Sequence, residues 1–282
     1  MATNKKLKAF ARIDGTGRVV PGSLVLRERK PKTGKWKEVE ANECCNTIDA
    51  CFTALFSYTE ATADSLNINI ERVNITGSPD VTGTINWGDG TTESISMTNN
   101  DGSVTFAHTY SEYGEYTVTV CIDNPEYVFN IRINPDDWGG GGVLSVSGLP
   151  KFRGLNEVNF GYNPDLTSLD VSNMPYLLYV NATNSGLTSI NLTGSTGITS
   201  LELSGNSLTS IDFTGLVNLY NVNLFDNSLS QESVDYILTF LANGPLSGGS
   251  VNLSGGTSAP PSAIGLAAIA TLEARGWDVF VN

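Results

Sequence analysis

The chain has a single histidine, His108, and that bounds the chemistry open to it. A catalytic histidine needs a nucleophile or a second base beside it. No such companion stands at fitting spacing, so His108 is expected to be a hydrogen-bonded structural residue. The run Asp14-Gly15-Thr16-Gly17 superficially suggests an aspartic protease. The protease motif runs Asp-Thr-Gly without the inserted glycine, and no second copy follows. The cysteines are Cys44, Cys45, Cys51 and Cys121, with no CxxC pair, which disfavours zinc. Adjacent Cys44 and Cys45 would strain a bridge to each other. Buried free thiols are expected, with a bridge from Cys44 or Cys45 to Cys51 as the alternative. Asp89, Asp101, Asp123, Asp136 and Asp137 could contribute to a calcium site, but EF-hand spacing is lacking. With no phosphate loop, nucleophile elbow or supported carboxylate pair, the sequence predicts no enzyme, no cofactor and no metal.

Charge is split along the chain. Residues 1–40 hold eleven Lys and Arg against four acids, a net of +7, and the remainder carries −20, giving −13 in all. A basic end can dock on an acidic surface or on nucleic acid, whereas the acidic body is repelled by DNA and anionic lipid. The candidate docking residues are Arg12, Arg18, Arg27, Arg29, Lys30, Lys32, Lys35, Trp36 and Lys37. No recognised nucleic-acid-reading motif accompanies them, so protein docking is expected. No apolar run approaches the length of a membrane span. The N-terminus has a positive start without a following apolar stretch, so no signal peptide is expected.

Three segments follow from local patterning. In residues 1–66, period-two runs at 7–14, 23–30 and 35–41 predict short strands around turns. Residues 46–58 then switch to helical spacing, with Ile48, Cys51, Phe52, Leu55 and Phe56 on one face and Asn46 or Thr47 as N-cap. Residues 67–136 alternate as at least five short strands, the pattern of a small sandwich. Asp136-Asp137-Trp138 and four glycines break that pattern as a linker or lead-in.

Residues 137–282 repeat. Leu155, Leu177, Ile198 and Leu219 open equivalent units with the frame L-x-x-L-x-L, and eight residues later stand Asn163, Ser185, Asn206 and Asn227. LTSLDV, LTSINL and LTSIDF recur as second halves. Units of this size cannot bury their own apolar face and must stack. Residues 143–150 read as a partial first coil. A terminal cap follows: a helix with Val234, Ile237, Leu238 and Leu241 inward, a strand SVNLS, a helix over 262–275 and a last strand from Trp277. Alternation places Glu157, Asn159, Tyr179, Asn181, Ser200, Glu202, Asn221 and Asn223 on the concave face, with Phe225 at its lip. This amide-rich, mildly acidic strip suits a glycan or a protein loop, or is merely a solvated sheet face.

Three resemblances rest on these residues. Trp87-Gly88-Asp89-Gly90-Thr91, then His108-Thr109-Tyr110, then Gly114, Tyr116, Val118 and Val120 resemble the PKD domain pattern, which implies an Ig-like sandwich serving as a spacer or contact module. The 21-residue units resemble leucine-rich repeats of Bacteroidota surface proteins. The stretch GRVVPGSLVLRERKPKTGKW with the later ECCN is similar to N-terminal segments of virion proteins from phages of Bacteroides-like bacteria. Together they imply a multi-domain, mainly β chain: a basic β-hairpin foot, a PKD sandwich, and a leucine-rich-repeat solenoid with an α/β cap. The expected role is a phage head fibre, decoration protein or tail-associated adhesin. It would be made in the host cytoplasm, released by lysis, and bound through its foot to other virion proteins in an oligomeric assembly. Its displayed modules would face a host-surface glycan or protein. The alternative is a bacterial surface or secreted adhesin.

Overall fold

The computed structural model describes residues 8–12, 25–27, 36–39, 50–58, 66–72, 78–98, 100–135, 142–152 and 154–282. Within these the chain is mainly β. Its compact units are Met1–Ala50 and Cys51–Asn282. In the first unit β1 (Lys8–Arg12) lies between β2 (Val25–Arg27) and β3 (Trp36–Val39), antiparallel to both. All three fall within the expected strand ranges.

The second unit begins with a correction. The helix expected over 46–58 is instead strand β4 (Ala50–Tyr58); residues 46–49 lie outside the described residues. Ala50, Phe52, Ala54, Phe56 and Tyr58 are buried, while the residues between them are half-buried. The apolar set fits both periods, and sheet partners on either side select the strand.

The other strands are β5 (Leu66–Arg72), β6 (Val81–Asn86), β7 (Thr92–Met97), β8 (Ser103–His108), β9 (Gly114–Ile122), β10 (Val128–Pro135) and β11 (Val143–Ser147). Short strands β12 (Glu157–Asn159), β13 (Ser168–Asp170), β14 (Tyr179–Asn181), β15 (Ser189–Asn191), β16 (Ser200–Glu202) and β17 (Asn221–Asn223) follow. The chain ends with helix α1 (Gln231–Asn243), β18 (Gly249–Asn252), α2 (Ala263–Ala274) and β19 (Trp277–Phe280). The Ser230 and Ser262 hydroxyls cap the two helices by accepting from the Ser233 and Ile264 backbone N–H groups. Among the described residues no helix is long and apolar enough to cross a membrane.

A five-stranded sheet runs β11-β4-β9-β6-β7, and a nine-stranded sheet runs β19-β18-β17-β16-β14-β12-β10-β5-β8. Side chains join the two. The Trp87 ring stacks on His108 with centroids 4.8 Å apart, and Phe56 stacks on Tyr110 at 5.8 Å. Arg72 on β5 is 1% exposed and donates to the Met97 carbonyl at 2.7 Å, the Ser78 hydroxyl at 2.7 Å and the Pro79 carbonyl at 3.1 Å. A cation at this depth is tolerated because carbonyl and hydroxyl oxygens replace its water.

The expected boundaries at 66/67 and 136/137 are not breaks in this unit. β4 lies in the five-stranded sheet beside β9 and β11, and β10 pairs in parallel with β12. Residues 143–150 are not a first coil: β11 runs antiparallel to β4, with Val143 opposite Phe56 and Ser147 opposite Thr53. A second correction concerns sulfur. Cys51 and Cys121 form a disulfide across the neighbouring strands β4 and β9, closing a sequence separation of 70. They are therefore not free thiols; Cys44 and Cys45 lie outside the described residues.

From β12 onward the strands stack in parallel. Val158, Val180, Leu201, Val222, Val251 and Val279 occupy one register position. The frame residues Leu155, Val158, Phe160, Leu177, Val180, Ala182, Ile198, Leu201, Leu203, Leu219, Val222 and Leu224 are all buried. Each bend is stitched by a buried side chain. Asn206 Nδ2 donates to the Ala182 carbonyl at 2.8 Å and the Leu203 carbonyl at 2.9 Å, while its Oδ1 accepts from Leu187 N. Asn227 repeats the pattern with Leu203, Leu224 and Leu208. Ser185, the departure from asparagine, donates to the Phe160 carbonyl at 3.0 Å and accepts from Asn163 N at 3.4 Å. Asn163 ties the first coil to both larger sheets: it donates to the Phe160 and Ile133 carbonyls and accepts from Val143 N at 2.9 Å.

Two outcomes follow. Asn163→Ala orphans buried backbone groups and is expected to cost on the order of 3 kcal/mol in denaturant unfolding; an unchanged midpoint would contradict this role. Reduction of Cys51–Cys121 is expected to lower unfolding stability by about 2–4 kcal/mol, as read by melts with and without reductant.

Candidate functional site

Alternation along each strand sends one set of side chains to the far side of the nine-stranded sheet. There the eight predicted strand residues fall into two register rows. Glu157, Tyr179, Ser200 and Asn221 occupy one, and Asn159, Asn181, Glu202 and Asn223 the other. Phe225 lies just beyond β17 and is 46% exposed.

The rows run further than the repeats. Ser250 and Asp278 continue the first row, and Asn252 and Phe280 the second. On the other side Asn130 and Arg132 of β10 pair with Glu157 and Asn159, and with Glu71 and Asn69 of β5. These additional residues were missed because the sequence shows only that β5 and β10 each have a polar face. Their alternating Asn-Ile-Asn-Ile-Glu and Asn-Ile-Arg runs were the available signal.

The face is a lattice of carboxylates and amides. Both oxygens of Glu202 accept at 2.8 Å, one from Asn221 and one from Asn223, and Asn221 also donates to Ser200 at 2.9 Å. Arg132 Nη2 lies between Glu71 at 3.2 Å and Glu157 at 3.3 Å. Asn69 donates to Ser103 at 2.8 Å and Thr105 at 2.9 Å. Burial pushes the Tyr179 phenol above its ordinary pKa, and the Glu202 and Glu157 charges add to that, so it remains a neutral hydroxyl. Much of the asparagine recurrence has a local cause: Oδ1 of Asn159, Asn181, Asn223 and Asn252 accepts from the backbone N–H two residues on, closing the bend after each strand.

The other candidates resolve separately. His108 Nε2 lies 2.7 Å from Asp89 Oδ2, and its ring stacks on Trp87 and meets Tyr110 edge-on. Asp89 Oδ1 accepts from both the backbone and the hydroxyl of Thr91, closing the turn. Gly88 has φ +86°, and a Cβ there would lie 2.8 Å from the Thr117 carbonyl oxygen, so the turn requires glycine. The Tyr110 hydroxyl donates to the Trp87 carbonyl, completing a packed cluster. Asp101 and Asp123 are engaged by Thr98 and Thr82, while Asp136 and Asp137 lie outside the described residues. No group of three or more metal-ligating side chains gathers among the described residues.

Of the candidate docking residues, Arg12, Arg27, Trp36 and Lys37 fall on the three strands of the first unit. Arg18, Arg29, Lys30, Lys32 and Lys35 lie outside the described residues. A cleft of 560 Å³ beside α1 is lined mainly by apolar groups, including Leu216, Tyr236, Phe240 and Trp277. Of its two carboxylates, Glu232 and Asp235, the latter accepts from the Ser262 backbone and hydroxyl.

The hydrogen bonds from Thr91, with His108 beside them, hold Asp89 down to a pKa of about 2 against burial, below its ordinary 3.8. A depressed carboxyl contributes stability that is present above the ordinary pKa and lost as pH falls through the folded value. Melting temperature is therefore expected to drop between about pH 4 and pH 2, and Asp89→Asn is expected to flatten that drop. Equal slopes in the two proteins would refute the assignment. Comparison with descriptions of known protein families, and with curated proteins, finds no match for this chain.

Proposed function

We propose that this chain is a non-enzymatic display and binding protein of a phage particle. Its basic foot attaches it to other virion proteins, and a PKD-type sandwich and leucine-rich-repeat solenoid present a binding face. The observation that carries the binding role is the two register rows of amide, carboxylate and hydroxyl side chains crossing the nine-stranded sheet, with Tyr179, Phe225 and Phe280 as aromatic contact points. Such a surface offers many hydrogen-bond donors and acceptors on a rigid frame, which suits recognition. Placement on a particle rests on the resemblance of the foot to virion segments and on the charge split. A head fibre, decoration protein or tail-associated adhesin would each use the modules in this way.

A second reading, a bacterial surface or secreted adhesin, is favoured by the Cys51–Cys121 disulfide, because such bonds persist in oxidising surroundings.

Mass spectrometry of particles purified from a lysate expressing the gene separates the two. The chain is expected at stoichiometric abundance in particles, and a chain lacking residues 1–45 is expected to be absent from them. Its presence only in the host envelope or medium would overturn the virion assignment and favour the adhesin.

A further inference from the structure

The part of the polar face where β10 meets β12 contains a side chain that the fold does not explain. Asn130 is fully buried, and neither its Oδ1 nor its Nδ2 has a hydrogen-bond partner among the described residues. Buried side-chain amides are normally paired, and an orphaned one destabilises its own strand. Valine would serve β10 better. Asn130 stands in register with Glu71 on one side and Glu157 on the other.

Its neighbours are only partly committed. Arg132 is 38% exposed, reaches both carboxylates through the single nitrogen Nη2 at 3.2 and 3.3 Å, and leaves its Nε without a partner. Its Nη2 bonds the two carboxylates that stand in register with Asn130, so its displacement is the movement by which a ligand would reach that amide. Asn159 uses Oδ1 in its own turn and keeps Nδ2 to donate. Tyr179, in register with Glu157, adds a neutral hydroxyl and an aromatic ring.

We propose that Asn130, Arg132, Glu157, Asn159 and Tyr179 form a subsite for a neutral oligosaccharide; this rests on the binding role proposed above. A sugar hydroxyl both donates and accepts, so it can satisfy a carboxylate and an orphan amide together. The ring of Tyr179 offers an apolar face to sugar C–H groups. An anionic ligand is opposed by Glu71, Glu157 and Glu202, and a cationic one competes with Arg132 for the same carboxylates. Adjacent strands lie about 4.8 Å apart, comparable to one pyranose ring, so an extended glycan crossing the strands meets equivalent positions in succession.

The test is a printed array of neutral and acidic oligosaccharides probed with the full chain, followed by calorimetry on a bound neutral sugar. Asn130→Val and Tyr179→Ala are each expected to weaken that sugar by about tenfold or more. Asn130→Val is also expected to melt at or above the wild-type temperature, since it removes an orphan amide. Binding within about twofold of wild type in both variants, or a clear fall in the Asn130→Val melting temperature, would overturn the subsite. So would capture of acidic glycans alone, or of no glycan. Each of those results leaves the particle assignment, read by mass spectrometry, untouched.

Discussion

The buried amide of Asn163 sits where three backbone segments must end without water. Its Nδ2 satisfies the Phe160 carbonyl at 2.7 Å and reaches the Ile133 carbonyl at 3.3 Å, while its Oδ1 takes the Val143 N–H. Those groups belong to the first coil, to β10 and to the start of β11. An unpaired backbone group at this depth costs as much as a lost hydrogen bond, so this one side chain reinforces the backbone pairing by which the parallel stack joins β10 and ties it to β11 as well. Asn206 and Asn227 repeat the device between coils, where a polar backbone turn is enclosed by leucine.

With that joint in place, the edge of β10 is covered. β10 would otherwise expose a free edge, and such edges invite unwanted pairing. β12 covers it in parallel, each coil covers the next, and β18 and β19 continue the ladder past α1 and α2. The price is a single long sheet whose outward positions face away from the apolar core. They are filled with amides and carboxylates that bond each other across strands, as Glu202 does with Asn221 and Asn223. Stacking therefore builds the polar face as a consequence of burying the apolar one.

The facing sheets are held by different means. Trp87, His108 and Tyr110 pack around a glycine turn closed by Asp89 and Thr91, Arg72 caps carbonyls from within, and Cys51–Cys121 links β4 to β9. The Asp89–Thr91 and His108–Tyr110 contacts are local, whereas Trp87–His108, Arg72–Met97 and Cys51–Cys121 bring together residues far apart in sequence.

The sequence alone determined the elements whose signals are local. The recurrence at Leu155, Leu177, Ile198 and Leu219 placed the outward residues of β12, β14, β16 and β17, and the run Val234, Ile237, Leu238 and Leu241 placed α1, because periodicity dictates which side chains share a face. Tertiary structure decided what depends on partners. The apolar residues of 50–58 fit a helix or a strand, and pairing with β11 and a place beside β9 chose the strand. For Cys51 the sequence offered only Cys44 or Cys45, as the alternative to free thiols, because Cys121 is brought beside it only by that sheet. Likewise Asn130 and Arg132 fall, in sequence, in the last strand of the expected sandwich over 67–136. Their membership of the long face arose only when β10 paired with β12, since hydrogen bonding between strands depends on backbone proximity that no local pattern encodes.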